Sequence, residues 1–262
     1  MRRIVLLLLA LLLVGAPLAL ASRTGPEPYR RPHVALQWEQ RRAVSRAAAT
    51  GEPIYCGAGR SNAVALTFDD GPGPFTAQLL EVLREQGAHA TFFVVGNRLA
   101  DWPRTARAEA ELGAVGNHTW SHQRLTRIPR WVAWLELART QASLQEQTGR
   151  RPRLFRAPYE QHDARIDAVS RSLGLVEVFW SVVSGDDRPH ASARSVARNV
   201  VAGLRPGAIV LMHDLHPWTV RALPQILRAM RLRGLRAVSV PELLALDPPS
   251  RGQHCVFTPG GD

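Results

Sequence analysis

The sequence predicts a parallel α/β fold of the barrel type, and two observations carry that expectation. Short apolar runs alternate with longer amphipathic segments about seven times between residues 63 and 240, the pattern of strands joined by crossover helices. The chemically reactive residue types also fall at or just past the C-terminal ends of different runs: Asp69 and Asp70, His118, Arg156, Trp180 and His213. The alternation alone allows an open doubly wound sheet, which would concentrate such residues at one crevice. A β/α barrel collects them from many strand ends, and their spread favours it.

Taken in order, the chain opens with Met1-Arg2-Arg3, an apolar run over 4–14 and Ala19-Leu20-Ala21 before Ser22. This reads as a secretory signal over residues 1–21, with an uncleaved anchor as the alternative because residues 4–21 carry no charge. Gly15 and Pro17 favour cleavage. No later apolar run is long enough to span a bilayer, so a secreted or cell-envelope protein without stable membrane insertion is expected. Residues 22–61 are rich in Arg, Pro and Ala, with one helical stretch over 34–49, and read as a linker or packing segment. The main domain is expected over 62–246. Its strand-like runs lie at 63–68, 90–95, 113–116, 153–156, 175–180, 208–212 and 235–240, with helices between most of them at 76–86, 103–111, 129–148, 163–173, 192–203 and 218–233. Trp131 and Trp134 on the 129–148 helix read as packing rather than sugar-stacking residues. The tail, 247–262, is Pro- and Gly-rich and is expected to be irregular.

All 33 basic side chains are arginines, and the net charge of +11 falls to +9 once Arg2 and Arg3 leave with the signal. Such a protein is drawn to anionic polymers such as cell-wall glycans, or to a membrane surface. Nucleic acid is not expected as a partner, because the arginines are dispersed without a binding signature and the chain carries an export signal. A monomer is expected. The two cysteines, Cys56 and Cys255, form an even set in an exported chain and are expected to pair, two free thiols being the alternative.

Two sequence features carry the chemistry. Thr67-Phe68-Asp69-Asp70-Gly71-Pro72 ends an apolar run in adjacent carboxylates, and His118-Thr119-Trp120-Ser121-His122 follows some fifty residues later. Adjacent residues on a strand face opposite ways, so the two carboxylates reach one site only at a strand end. The four-residue histidine spacing predicts a helical turn with both imidazoles on one face. One carboxylate and two imidazoles form a metal-ligand set that leaves positions open for water or substrate. A plain turn and helix cap is the alternative for Asp-Asp-Gly-Pro.

Over roughly residues 62–246 the chain resembles the polysaccharide deacetylase family, the group with the NodB homology domain (carbohydrate esterase family 4-like). Thr-Phe-Asp-Asp-Gly-Pro stands complete at 67–72, and His-Ser/Thr-x-x-His at 118–122. Arg156-Ala157-Pro158-Tyr159 matches a third motif, with Glu160 where the family usually has Gly. Trp180 and Asp186 match a fourth, with Asp187 replacing its second Trp. The strand ending Leu211-Met212-His213-Asp214 matches the fifth.

The resemblance implies a distorted (β/α) barrel of about seven strands and a metal-dependent hydrolase that removes N-acetyl groups from sugars. It implies that Asp70, His118 and His122 hold a divalent metal, zinc foremost, and that Asp69 is the general base partnered by Arg156. His213 would be the general acid, held protonated by Asp186, and the Tyr159 N–H would complete the oxyanion hole. Leu211 and Trp180 would wall the pocket for the acetyl methyl. The expected substrates are peptidoglycan N-acetylglucosamine first, then chitin oligomers, with O-acetyl xylan or a catalytically inactive wall-binding protein as alternatives. The same ligand types hold iron(II) in oxygenases, a reading that leaves Asp69, Arg156 and His213 without a part. His89, His162, His190, His216 and His254 match no motif position.

Overall fold

The computed structural model describes residues 33–257. The signal predicted over 1–21, the start of the 22–61 segment and the last positions of the tail lie outside the described residues. In chain order the elements are α1 (His33–Thr50), β1 (Ala63–Asp69), α2 (Thr76–Glu85), β2 (Ala90–Val94), α3 (Thr105–Glu111), β3 (Gly113–Asn117), α4 (Arg130–Thr148) and β4 (Leu154–Phe155). They continue with α5 (Ala164–Ser172), β5 (Val176–Glu177), β6 (Val182–Val183), α6 (Ala193–Gly203), β7 (Ile209–His213), α7 (Pro217–Leu232), β8 (Arg236–Val238) and α8 (Val240–Leu246). All pairings between these strands are parallel. The sheet runs β5-β4-β3-β2-β1-β7-β6, with β8 beside the start of β1.

β1 shows how the sequence builds this sheet and aims the site. All seven of its residues are buried, as expected for a parallel strand covered on both faces. Val64, Leu66 and Phe68 join the outer core beneath the helices. Ala63 and Ala65 join the inner core with Phe93, Leu154 and Ile209. The inner face is small at its start and polar at its end, where Thr67 and Asp69 follow in the same alternation. β7 repeats the scheme, with Val210 and Met212 outward and Ile209, Leu211 and His213 on the alternate positions.

Two predicted strands are corrected. The 175–180 run pairs as a strand only at Val176–Glu177, and a further strand, Val182–Val183, pairs with β7. The reason is chemical: the carbonyls of Val178 and Phe179 accept hydrogen bonds from the buried Arg156 side chain. The 235–240 run stops at Val238 because Ser239 caps a helix that the sequence reading missed. Ser239 Oγ accepts from the Glu242 N–H, and Glu242 Oε2 accepts from the Ser239 N–H at 2.7 Å, a reciprocal capping box that starts α8. Trp131 and Trp134 do not pack inward; they are 67% and 43% exposed on α4, which buries Ala133, Glu136, Leu137 and Thr140 instead.

The segment before β1 runs from one edge of the sheet, at β5, toward β7 near the other. Ile54 bridges Val178 beside β5, and Cys56 bridges Ala208 before β7. Ala43 and Val44 of α1 share a core cluster with Val240, Leu243 and Leu244 of α8. Cys56 and Cys255 form a disulfide across 199 residues of sequence. Asp247 Oδ2 and Oδ1 accept from the N–H groups of Gly59 and Arg60 at 2.7 and 3.0 Å, so the start and end of the barrel are tied twice. No helix among the described residues is long and apolar enough to cross a membrane.

Candidate active site

Asp69 ends β1 on the inner face and is 3% exposed. In an extended chain Asp70 would then point outward. Its φ of 71° breaks the strand and turns its carboxylate back toward the same end of the barrel. Gly71 is required behind it, because a Cβ there would collide with the buried Asp214 carboxylate. That carboxylate also accepts from Thr76 Oγ1–H at the start of α2. Burial pushes Asp214 up to about 7, against the hydrogen bond from Thr76.

His118 and His122 converge on Asp70. The Asp70 Oδ1 atom lies 3.3 Å from His118 Nε2 and 3.1 Å from His122 Nε2. One donor atom from each residue falls within 4.8 Å of the others. Asp70 Oδ1 is buried and has no hydrogen-bond partner, and His118 Nδ1–H is engaged by the Arg156 carbonyl at 2.8 Å, which leaves Nε2 facing the group. An orphaned carboxylate oxygen between two ring nitrogens fits a divalent cation. Burial opposes ionisation of Asp70, yet the two facing imidazoles outweigh it and hold the carboxyl far below its ordinary value.

The histidines do not lie on a helical turn, as their spacing predicts. Residues 118–122 form an irregular loop in which Thr119 and His122 take φ values of 69° and 56°. Two partners outside the motif explain that shape. Asn117 Oδ1 accepts from the Thr119 N–H. Glu136 on α4 accepts from the N–H groups of Trp120 and Ser121 and from Ser121 Oγ–H, at 2.8–3.0 Å. A loop that satisfies its amides on a buried carboxylate has no need of helical hydrogen bonds. Nothing in the sequence spacing marks Glu136, fifteen residues from Ser121.

Arg156 is fully buried and fills the barrel interior. Its guanidinium donates to Asp69 Oδ1 at 2.7 Å, Thr67 Oγ1 at 2.8 Å and the carbonyls of Val178 and Phe179 at 2.9 Å. It also stacks 4.1 Å from the Phe93 ring centroid and lies 5.4 Å from that of Trp180. Burial pulls this arginine below its ordinary value while Asp69 opposes the shift. An arginine stays charged all the same.

Across the sheet, His213 is in register with Asp69. Its Nδ1–H lies 2.8 Å from Asp186 Oδ1, and its backbone N–H donates to Asp186 Oδ2 at 2.7 Å. Thr219 Oγ1–H reaches Oδ2 as well, and Trp218 Nε1–H reaches the Asp186 carbonyl. Burial works against the imidazolium, but Asp186, with help from Asp69 and Asp70, pushes His213 up to about 10. Asp186 in turn is lowered, His213 and Thr219 outweighing its burial. Asp187, in the position of the second Trp, is exposed; Trp218, further along the chain, supplies an indole that contacts Asp186.

Tyr159 stacks its ring edge-on against His122 at 4.8 Å, beneath the Arg124 guanidinium at 3.8 Å. Tyr159 and Glu160 have φ values of 60° and 55°, so Glu160 adopts the left-handed backbone that a glycine there would take at no cost. Leu211 is buried on the same strand as His213. The predicted site residues are therefore assembled at one end of the barrel. Thr67, Glu136, Trp218 and Thr219 join them without having been singled out from sequence.

The polysaccharide deacetylase family profile matches residues 57–178. A chitooligosaccharide deacetylase of Bradyrhizobium is 37% identical over 201 residues, which span 70% of this chain and 91% of that protein. The chain belongs to the polysaccharide deacetylase family. A peptidoglycan-N-acetylglucosamine deacetylase, PgdA of Listeria monocytogenes, is 36% identical over 69% of the chain, and the match spans 38% of that longer protein. The solved Bc1960 peptidoglycan N-acetylglucosamine deacetylase superposes with a TM-score of 0.70 at 29% identity, over 73% of this chain and 92% of that one. The family is metal-dependent, in keeping with the Asp70, His118 and His122 donor set.

Proposed function

We propose that this chain is an exported polysaccharide deacetylase that hydrolyses N-acetyl groups of amino sugars, with peptidoglycan N-acetylglucosamine as its substrate. The observation that carries the reading is the placement of the Asp70–His118–His122 group at the same barrel end as two buried charged pairs, Asp69–Arg156 and Asp186–His213. Amide hydrolysis needs a base, an oxyanion acceptor and an acid for the amine leaving group. A divalent cation held by Asp70, His118 and His122, zinc foremost, would lower the pKa of water from about 16 toward 7 and polarise the acetyl carbonyl.

Asp69 takes the proton from the attacking water, and Arg156 fixes its carboxylate from behind through a 2.7 Å charge-assisted hydrogen bond. The Tyr159 N–H serves the developing oxyanion. His213, protonated near neutrality by Asp186, gives its proton to the departing amine. Leu211 and Trp180 form the apolar wall for the methyl group. The names of the Listeria and Bc1960 proteins and the basic charge of the chain support a cell-wall substrate. The Bradyrhizobium relative supports chitin oligomers as the second choice.

The purified chain with zinc is incubated with N-acetylglucosamine oligomers and peptidoglycan fragments, and acetyl loss is followed by mass spectrometry beside an Asp70→Ala control. Loss from peptidoglycan that the control lacks supports the reading. Loss only from oligomers moves the substrate to chitin, and no loss from either points to O-acetyl esters or a wall-binding role.

A further inference from the structure

A second histidine–carboxylate group lies outside the catalytic residues. His162 follows the Tyr159 turn, Asp167 sits in the first turn of α5, and Glu177 ends β5. His162 Nδ1 is 2.9 Å from Asp167 Oδ1 and 3.6 Å from Glu177 Oε2. One donor atom from each residue lies within 4.8 Å of the others. Glu177 is only 5% exposed, and its Oε1 has no hydrogen-bond partner. Burial, with Asp167 beside it, pushes Glu177 up to about 8, so near neutrality this carboxyl holds a proton that a bound cation would displace.

A cavity of about 20 Å³ reaches the two carboxylates from the side away from His162, lined by Glu52, Asp167, Arg171 and Glu177 among others. That is room for one water or one ion. Arg171 is the cation on its wall; its Nη1 lies 3.5 Å from the Gly51 carbonyl, and its charge favours ionised Glu177 but is outweighed by burial and Asp167.

We propose that His162, Asp167 and Glu177 form a second divalent-cation site, separate from the catalytic one. One imidazole and two carboxylates suit a first-row cation such as zinc or manganese better than the all-oxygen preference of calcium or magnesium. The site has a structural use. Tyr159 and Glu160 are successive non-glycine residues in the left-handed region, and such backbone persists only where its surroundings hold it. His162, two residues on, also packs 4.9 Å from the Phe179 ring. A cation there pins the far end of the Tyr159 turn to α5 and β5. The two residues just past β5, Val178 and Phe179, hold Arg156 through their carbonyls. The proposal does not rest on the deacetylase reading.

The full chain is stripped of metal with a chelator and titrated with zinc alone, and the bound metal is counted by elemental analysis after gel filtration. Two equivalents are expected in the wild type and one in Asp70→Ala. His162→Gln, which removes the imidazole ligand from a side chain 22% exposed, should lose one equivalent. Glu177→Gln should agree where it folds. One equivalent in the wild type with none in Asp70→Ala, or two in His162→Gln, overturns the proposal. Failure of the deacetylation assay leaves this count untouched, so the two readings fail separately.

Discussion

The active site has two halves built in opposite ways. The metal-binding half is made of loops: Asp70 and His122 sit in left-handed backbone, and both side chains are about a quarter exposed. The proton-handling half is made of strand ends and buried pairs, with Asp69, Arg156 and Asp186 almost wholly shielded from solvent. The difference follows from what each half must do. A cation site needs an open side for substrate and gains its energy from the ion, so strained loops are affordable there. A base and an acid need fixed orientations and a fixed protonation state, which come from burial against an opposite charge.

The largest effect is expected at the first half. Asp70→Ala should abolish binding of the catalytic metal and lower kcat/KM by about 10³-fold or more, with little change in thermal stability, read by metal content and turnover. A variant that keeps both metal and activity would remove the distinction between the halves. Arg156→Met should do the reverse. It leaves Asp69 buried without its partner and opens the interior, costing about 3–5 kcal/mol of stability, which chemical denaturation measures. A loss confined to activity would show that Arg156 is not the interior's charged support.

Much of the first half was legible because its ligands sit in two short motifs, yet the helical turn expected for 118–122 was wrong. The amides of that loop are satisfied by Asn117 and Glu136, and a spacing rule has no access to a partner on another helix. The second half was legible only through the family resemblance, since Asp69 and Arg156 are 87 residues apart and meet because β1 and β4 share a barrel. The strand alternation was readable from the apolar runs. The missing β6 and α8 were not: one is two residues long, and the other begins inside a run that reads as strand until Ser239 and Glu242 are seen to cap each other.

A smaller, directional effect belongs to Asp186. Its attraction outweighs the burial of His213 and pushes that imidazole up to about 10. The pair's stabilising contribution is therefore complete below the ordinary histidine value of about 6.5, and it is lost as pH rises through about 10. Asp186→Asn should move the alkaline limb of kcat toward neutrality by about one pH unit or more and lower the maximum. An unmoved limb would take the acid role from His213. The smallest effect is expected at Glu136. Glu136→Gln should weaken the catalytic metal by about tenfold through a loosened 119–121 loop, with the kcat of the fully loaded protein nearly unchanged, read by zinc titration.

The central claim is that the two halves are separable in function although they touch, and Asp69→Asn tests it most directly. The variant is loaded with zinc, its metal content is counted, and acetyl release from peptidoglycan fragments is measured in the same preparation. Unchanged metal with turnover reduced by about 10²-fold or more is the predicted result. Loss of metal together with activity, or retention of both, would contradict the assignment of base and ligand to adjacent carboxylates.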